Sequence, residues 1–402
     1  MTKQYIHERL TDTDLYKLTM QQAVLHKHMG AMVEYHFRCR TDGVDLVAKQ
    51  ARIEEEIDHL CTLRYQPEEL DYIRNLRFIK SDFVDFLEDF RLKRRYVTVK
   101  PSLEKPGSID IIIKGPWVQT IPFEIYILSI INEIYYEDLD REELYTEGRK
   151  RLYAKIEQIK NHPNKTNLSF ADFGTRRRFS REWQKEVVET LKKELPDSFT
   201  GTSNVWLAKE LNLTPIGTMA HEYLQAFQVL GDQNIYHFQK AAFESWVQEY
   251  RGDLGIVLTD VMGLDSFLSE FDLYFCKLFD GVRHDSGDPF EWGDRIIEHY
   301  NMQRIDPKTK FMTFSDGLNI NKMLKLHDYF SDRTRPNFGI GTDLTNDVGV
   351  KALQVVLKMV RCNDIPVAKL SDASGKTMSD DPDYVNFLNH VKKSTDPENV
   401  NK

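Results

Sequence analysis

Two rhythms of apolar and polar residues divide the chain. In the first stretch, helical and alternating patterns mix. Thr11-Asp12-Thr13-Asp14 has the chemistry of a helix N-terminus, and Leu15, Leu18, Gln22 and Leu25 then share one helical face. Met32 to Phe37 alternates like a strand, and residues 50–95 read as heavily charged helices. Tyr96 to Val99 and Ile109 to Ile113 read as strands joined through Pro101 and Pro106-Gly107, and Pro122 to Tyr135 as an apolar helix. From about Leu168 the rhythm changes. Short apolar runs end in small or polar residues, and helical segments follow. The endings are Asp172-Phe173-Gly174-Thr175, Gly201-Thr202-Ser203, Gly217-Thr218, Thr259-Asp260, Asp280-Gly281, Ser315-Asp316-Gly317 and Gly339-Ile340-Gly341-Thr342. Leu278 to Val282 reads as the end of a buried strand, with Arg283 to Pro289 as the turn beyond it. Such repetition predicts β-then-α units, in a closed barrel or an open doubly wound sheet. Either architecture puts its ligand face at the C-terminal ends of the strands. A barrel is favoured, because Gly339-Ile340-Gly341 lacks the third glycine of a dinucleotide fingerprint and no phosphate-binding G-x-x-x-x-G-K-[ST] loop occurs.

Composition narrows the partners. The 402 residues are 41% hydrophobic and 29% charged, as expected of a soluble globular chain with one large α/β domain and a smaller one. The net charge of −9, from 54 basic and 63 acidic residues, argues against nucleic acid or an anionic membrane as the main partner. Any phosphate site must be a local basic spot. Cys39, Cys61, Cys276 and Cys362 are scattered without a C-x-x-C pair, which disfavours zinc ribbons and dithiol redox chemistry. No apolar run opens the sequence and none approaches a membrane span, so the expectation is a cytoplasmic protein with reduced thiols. The polar stretch from Ser379 to Lys402 reads as a partly mobile tail.

The strand ends carry the candidate chemistry. Arg283-His284-Asp285-Ser286-Gly287-Asp288-Pro289 crowds a cation, carboxylates, an imidazole and a hydroxyl into one turn. Charge beside an apolar strand needs solvent or a partner. The same residues also make an ordinary surface turn, and this segment alone leaves both readings open. Arg176, first of three arginines after a strand end, offers a donor fork for phosphate or carboxylate, whereas its neighbours also suit a solvated helix start. Ser203 and Asn204 suit anion binding or plain capping. His221 stands just past a strand end, and Asp260 ends the next apolar run, where a carboxylate could fix the histidine's tautomer. Ser315-Asp316-Gly317 and Gly341-Thr342 are late turns of the kind that cradle a phosphate in barrels. Lys369 and Lys376 flank small residues and could close over an anion or lie exposed.

As a set, Thr11 to Met20, Asp-Phe-Gly-Thr-Arg-Arg from Asp172, Gly-Thr-Ser-Asn-Val from Gly201, Gly-Thr-Met-Ala-His-Glu from Gly217, the Arg283 turn and Lys369 to Lys376 resemble nicotinate phosphoribosyltransferase, a type II phosphoribosyltransferase. The resemblance implies an irregular TIM-like α/β barrel beside an α/β sandwich. Residues 1–145 would begin the sandwich, 146–355 form the barrel, and 356–402 return to the sandwich. It implies transfer of phosphoribose from phosphoribosyl pyrophosphate to nicotinate for NAD biosynthesis. ATP would be a co-substrate, Mg²⁺ would be required, and a homodimer would share its sites. His221 would be the residue ATP phosphorylates, with Asp260 orienting its ring. Phe173, with Tyr16 of a second copy, would sandwich the pyridine. Arg176 and Arg283 would face carboxylate or pyrophosphate, and Asp285 the ribose hydroxyls. Ser315, Asp316, Gly317, Gly341 and Thr342 would hold the 5′-phosphate, and Arg40, Lys369 and Lys376 are further phosphate candidates. Ser203 stands where nicotinamide-specific relatives carry a carboxylate, which implies preference for the acid over the amide. The alternatives are a quinolinate or nicotinamide phosphoribosyltransferase and a catalytically silent nucleotide-binding barrel.

Overall fold

The computed structural model of the chain describes residues 4–231, 234–372, 377 and 379–395. Two compact units emerge. The first comprises residues 1–165, 169–217 and 340–358, and the second residues 166–168, 218–339 and 359–402.

The first unit contains an antiparallel sheet of β1 (Met32–Cys39), β2 (Val97–Pro101) and β3 (Ile109–Pro116), in the order β1-β3-β2. Glu34 stands opposite Lys114 and Tyr35 opposite Ile113, so alternate residues of β1 turn inward as its pattern predicts. The helix Phe123–Tyr135 is the core of this unit, buried from Phe123 to Ile134, as an apolar helix without a polar face must be. The same unit holds three short parallel strands, β4 (Phe170–Asp172), β5 (Phe199–Thr202) and β6 (Thr214–Pro215). Asp14 stands at the N-cap of the helix Leu15–Lys27, where the sequence places a helix start.

In the second unit, β7 (Ile256–Leu258), β8 (Gly281–His284), β9 (Phe311–Phe314) and all but the last residue of β10 (Arg335–Ile340) pair in parallel in the order β10-β9-β8-β7. Helices alternate with them, which is the expected βα repetition. Phe243, Phe267, Phe271, Phe275 and Phe279 pack ring against ring in its core. The strand β11 (Val355–Cys362) ends in this unit and turns back through β12 (Ile365–Pro366).

One strand lies elsewhere than the apolar pattern predicts. Leu278 closes the helix Leu273–Leu278, whose N-cap Asp272 accepts from the Tyr274 and Phe275 amides. The strand begins only at Gly281, so Asp280-Gly281 starts a strand instead of ending one. Arg283 and His284 belong to β8, and the turn proper is Asp285 to Asp288. Gly281 is required there: a Cβ would stand 2.1 Å from the Phe311 carbonyl oxygen of the paired strand. The polar stretch after Ser379 contains the helix Pro382–Thr395, with Leu388 and Val391 buried. All four cysteines are free. Among the described residues, no helix is long and apolar enough to cross a membrane.

Candidate active site

The second unit gathers its chemistry at the C-terminal ends of β7 and β8. Asp260 lies just beyond β7, 1% exposed. Its Oδ1 stands 2.7 Å from Nε2 of His221, the first residue of the helix His221–Leu230. Its Oδ2 stands 2.6 Å from Lys369 Nζ and accepts from the Ser286 hydroxyl at 2.6 Å. Burial pushes the Asp260 carboxyl up, but Lys369 and His221 outweigh it and hold it well below the carboxylate range. Asp260 is therefore ionised, and His221 Nε2 must carry the ring proton to face it at that distance. Lys369 Nζ, 3.0 Å from the same nitrogen, is then an electrostatic neighbour and not a donor to it. Burial, followed by Lys369, lowers the His221 pKa from 6.5, so the ring is neutral at neutral pH with its lone pair on Nδ1. Among the described residues, Nδ1 has no protein partner.

Asp285, one residue past β8, borders this cluster. Its Oδ2 is 3.6 Å from both His221 Nε2 and Lys369 Nζ. Its Oδ1 lies 3.0 Å from Ser315 Oγ and 3.4 Å from Arg283 Nη2. Burial raises its pKa, and Lys369, His221 and Arg283 together reverse that, leaving it low. Ser315 also accepts from Arg283 Nε at 2.8 Å, so the hydroxyl braces Arg283. Gly317, past β9, has φ +55° and open space where a side chain would be. His284 is buried against Trp292 and Phe314. Burial lowers its pKa, and it packs in the core behind the cluster.

His221, Asp260 and Asp285 offer three potential metal-ligand atoms within 4.8 Å of one another. They do not fit a resident Mg²⁺. That ion prefers six oxygen ligands, whereas one donor here is an imidazole nitrogen already protonated toward Asp260. The Lys369 ammonium also holds the countercharge position, and a metal would have to displace it.

The first unit assembles a different set. Ser203, past β5, donates its hydroxyl to Asp14 Oδ1 at 2.7 Å, and its carbonyl accepts from Leu15 N–H at 2.8 Å. Burial raises the Asp14 pKa against the hydrogen bonds from Ser203 and Thr175. Glu124 meets Lys17 at 2.6 Å, the Tyr16 hydroxyl at 3.4 Å and Arg176 at 3.5 Å. Burial pushes Glu124 up, and Lys17 and Arg176 outweigh it, so its pKa is lowered. Phe173 N–H donates to the Ile340 carbonyl, and a Cβ on Gly341 would sit 3.1 Å from the Phe173 carbonyl oxygen, which brings Phe173 and Gly341 together. The three arginines part ways. The Arg176 side chain is 44% exposed, Arg177 donates to the Val355 carbonyl, and Arg178 is fully buried against Asp12 and Glu133.

Two family models cover most of the chain. The nicotinate phosphoribosyltransferase (NAPRTase) family model matches residues 168–396, and the model of its N-terminal domain matches residues 11–132. The chain belongs to the nicotinate phosphoribosyltransferase family. It is 55% identical over 388 residues to the nicotinate phosphoribosyltransferase of Xylella fastidiosa (strain 9a5c), covering 96% of this chain and 98% of that one. It is 56% identical over 390 residues to that of Acinetobacter baumannii, covering 95% and 96%. The solved nicotinate phosphoribosyltransferase of Vibrio cholerae matches with a TM-score of 0.90 at 34% identity, over 97% of this chain and 94% of that one. That of Porphyromonas gingivalis matches at 0.89 and 32%, over 96% and 100%.

Within this nicotinate phosphoribosyltransferase family fold, His221, Asp260, Asp285, Arg283, Ser315 and Lys369 converge. Asp316 and Gly317 follow on the β9 turn. Tyr16 and Arg176 share Glu124, while Ser203 pairs with Asp14. Arg40 is exposed at the end of β1, its amide donating to the Gln354 carbonyl. Lys376 lies outside the described residues. Sequence reasoning passed over Asp14, Lys17, Glu124 and Ser286 as site residues. Ser286 lies within the Arg283 to Pro289 turn, whose residues suit a site and an ordinary surface turn alike. Glu124 sits in a largely apolar helix, where it and Glu133 are the two carboxylates and the available signal.

Proposed function

We propose that this chain transfers the phosphoribosyl group of phosphoribosyl pyrophosphate to nicotinate, and that ATP drives the transfer through a phosphoryl group carried on His221. The observation that carries the ATP step is the asymmetry of the His221 ring: Nε2 is held 2.7 Å from an ionised Asp260, and Nδ1 meets no partner among the described residues. The Nδ1 lone pair attacks the γ-phosphorus of ATP. The bond from that phosphorus to the β–γ bridging oxygen breaks, and ADP leaves with the electron pair. The Nε2 proton stays on the ring, where Asp260 offsets the positive charge that develops. The phosphoryl group then sits at a helix N-terminus, whose dipole favours an anion, with Lys369 close by. Water later removes it as phosphate. The balance is nicotinate, phosphoribosyl pyrophosphate, ATP and water to nicotinate mononucleotide, pyrophosphate, ADP and phosphate.

In the transfer step, pyrophosphate leaves the anomeric carbon with the bonding pair, and the pyridine nitrogen supplies the new one. Arg283, braced by Ser315 and Asp285, neutralises charge on the leaving group, and Asp285 accepts from ribose hydroxyls. Arg176 meets the nicotinate carboxylate, and Phe173 stacks on the pyridine. Ser315, Asp316 and Gly317 receive the 5′-phosphate. The proposal includes a homodimer, with Tyr16 of one copy closing on the pyridine bound to the other. Mg²⁺ enters with the diphosphate groups of the substrates. Ser203 favours the acid, because a carboxylate in its place would add a second negative charge beside Asp14. Ser203→Asp should cut kcat/KM for nicotinate roughly 10- to 100-fold, about 1.4–2.7 kcal/mol, and an unchanged preference over nicotinamide would refute this role.

The deciding assay compares nicotinate, nicotinamide and quinolinate, each with phosphoribosyl pyrophosphate and Mg²⁺, with and without ATP. Nicotinate should be used, and ATP should stimulate nucleotide formation with release of ADP. His221→Ala should keep slow transfer and lose all stimulation. ADP released in step with nucleotide by that variant would show that His221 is not the acceptor.

A further inference from the structure

Asp260 accepts from three groups, and the proposed chemistry uses two of them, His221 and Lys369. The third is Ser286. Its side chain is 2% exposed, and its hydroxyl can donate once and accept twice. The donated bond goes to Asp260 Oδ2 at 2.6 Å. One accepted bond comes from the Asp372 backbone N–H at 3.1 Å. The Asp372 carboxylate in turn accepts from Leu264 N–H at 3.2 Å, and Leu370 N–H donates to the Val261 carbonyl at 2.8 Å. The segment that carries Lys369 is thus fastened beside β7 at Val261, Leu264 and Ser286. Ser286 is the one side chain that touches both Asp260 and that segment's backbone among the described bonds.

We propose that Ser286 is a positioning residue for the His221–Asp260 pair: one hydroxyl fixes the plane of the Asp260 carboxylate and ties it to the segment that presents Lys369. The inference rests on His221 being the phosphoryl acceptor only for its catalytic consequence; the positioning itself is a property of the free protein. A carboxylate gripped at Oδ2 by both Ser286 and Lys369 has Oδ1 aimed at Nε2, and that aim keeps the ring proton on Nε2 and the lone pair on Nδ1. Without the hydroxyl, Oδ2 keeps only the flexible lysine. The carboxylate can then turn, and the Nδ1–H tautomer, which cannot attack phosphorus from Nδ1, becomes populated. Ring-orienting partners of this kind typically contribute about 10- to 100-fold in activity.

The test uses the full-length protein and three variants: Ser286→Ala, Ser286→Thr, which restores the hydroxyl, and Ser286→Cys, which keeps the size with a weak donor. Single-turnover labelling with γ-labelled ATP reads phosphoenzyme formation, and ¹⁵N NMR of histidine-labelled protein reads the His221 tautomer, assigned by its loss in His221→Ala. Ser286→Ala should slow labelling about tenfold or more and shift His221 toward a tautomer mixture. Ser286→Thr should recover most of both, with Ser286→Cys between. Labelling and tautomer unchanged in Ser286→Ala, or Thr no better than Ala, would overturn the proposal. If Ser286→Ala does not fold, the Thr and Cys pair decides by the same readouts. If the wild type itself forms no phosphoenzyme, the acceptor reading of His221 fails, and the NMR tautomer alone decides the role of Ser286.

Discussion

Two buried clusters in this chain are made of nearly the same parts and are completed differently. Each brings together a histidine, an aspartate and a strong cation: His7, Asp12 and Arg178 in the first unit, His221, Asp260 and Lys369 in the second. In the first, every group is buried and set against a partner. Arg178 grips both oxygens of Asp12 at 2.7 and 2.8 Å and gives its Nε to Glu133 at 2.7 Å. His7 faces Asp12 with Nδ1 at 2.9 Å and Ser129 with Nε2 at 2.7 Å, and it is 1% exposed. In the second, the His221 side chain is 20% exposed, and among the described residues only one ring nitrogen is engaged. An aspartate that fixes a histidine is common to both. The lesson is that reactivity lies in the nitrogen left accessible, since an imidazole enclosed on both sides can only hold structure.

The comparison breaks most sharply at the aspartates' partners. Asp260→Asn keeps the shape but loses the charge that holds the proton on Nε2. Phosphoenzyme formation should fall on the order of 10³- to 10⁴-fold, about 4–5.5 kcal/mol, in a single-turnover experiment. A loss below tenfold would mean that Asp260 does not set the tautomer. Arg178→Met removes the cation of the closed cluster and leaves Asp12 buried without it. Stability in urea should drop by about 3–5 kcal/mol, whereas the folded fraction should still be phosphorylated at His221. Equal stability would show that the closed cluster is not structural.

A smaller effect tests the charge balance of the first cluster. Burial raises Glu133 from 4.5 to about 7 despite Arg178, while Asp12 is held well below its usual range by Arg178 and His7 in spite of burial. Burial also lowers His7, so with Glu133 protonated the cluster holds one cation and one anion. Because the folded pKa of Glu133 lies above the unfolded one, the folded state binds more protons between them. Stability should therefore fall as pH rises from about 4.5 to 7, by on the order of 1–3 kcal/mol from this group. Glu133→Gln should flatten that slope in thermal melts across the window; a slope that survives the substitution would place its origin elsewhere.

Much of this was legible in the chain. The strand-end residues of the second unit come together because the βα repetition places strand ends on one side, and that repetition is written in the apolar runs. The register of β8 was not legible: Leu278-Phe279 is a short apolar run, which helix and strand share, and the Asp272 cap that makes it helical lies six residues earlier. Nor could the sequence tell which of three adjacent arginines turns inward. Arg178 is chosen by Asp12 and Glu133, which are 166 and 45 positions away. Lys369 read equally well as an exposed loop residue, because the groups it meets, Asp260 and His221, are far away in the chain, His221 by 148 positions. Local chemistry marked the residues able to act, and long-range pairing decided which were left open to do so.

The most direct measurement is the site of phosphorylation. The protein is exposed to γ-labelled ATP and Mg²⁺, kept at alkaline pH to preserve phosphohistidine, digested and mapped by mass spectrometry, with ³¹P–¹⁵N NMR to name the nitrogen. The account predicts an acid-labile phosphoryl group on Nδ1 of His221 and none on His7. Label on Nε2, on another residue, or no label in a protein that still couples ATP to nucleotide formation would contradict it.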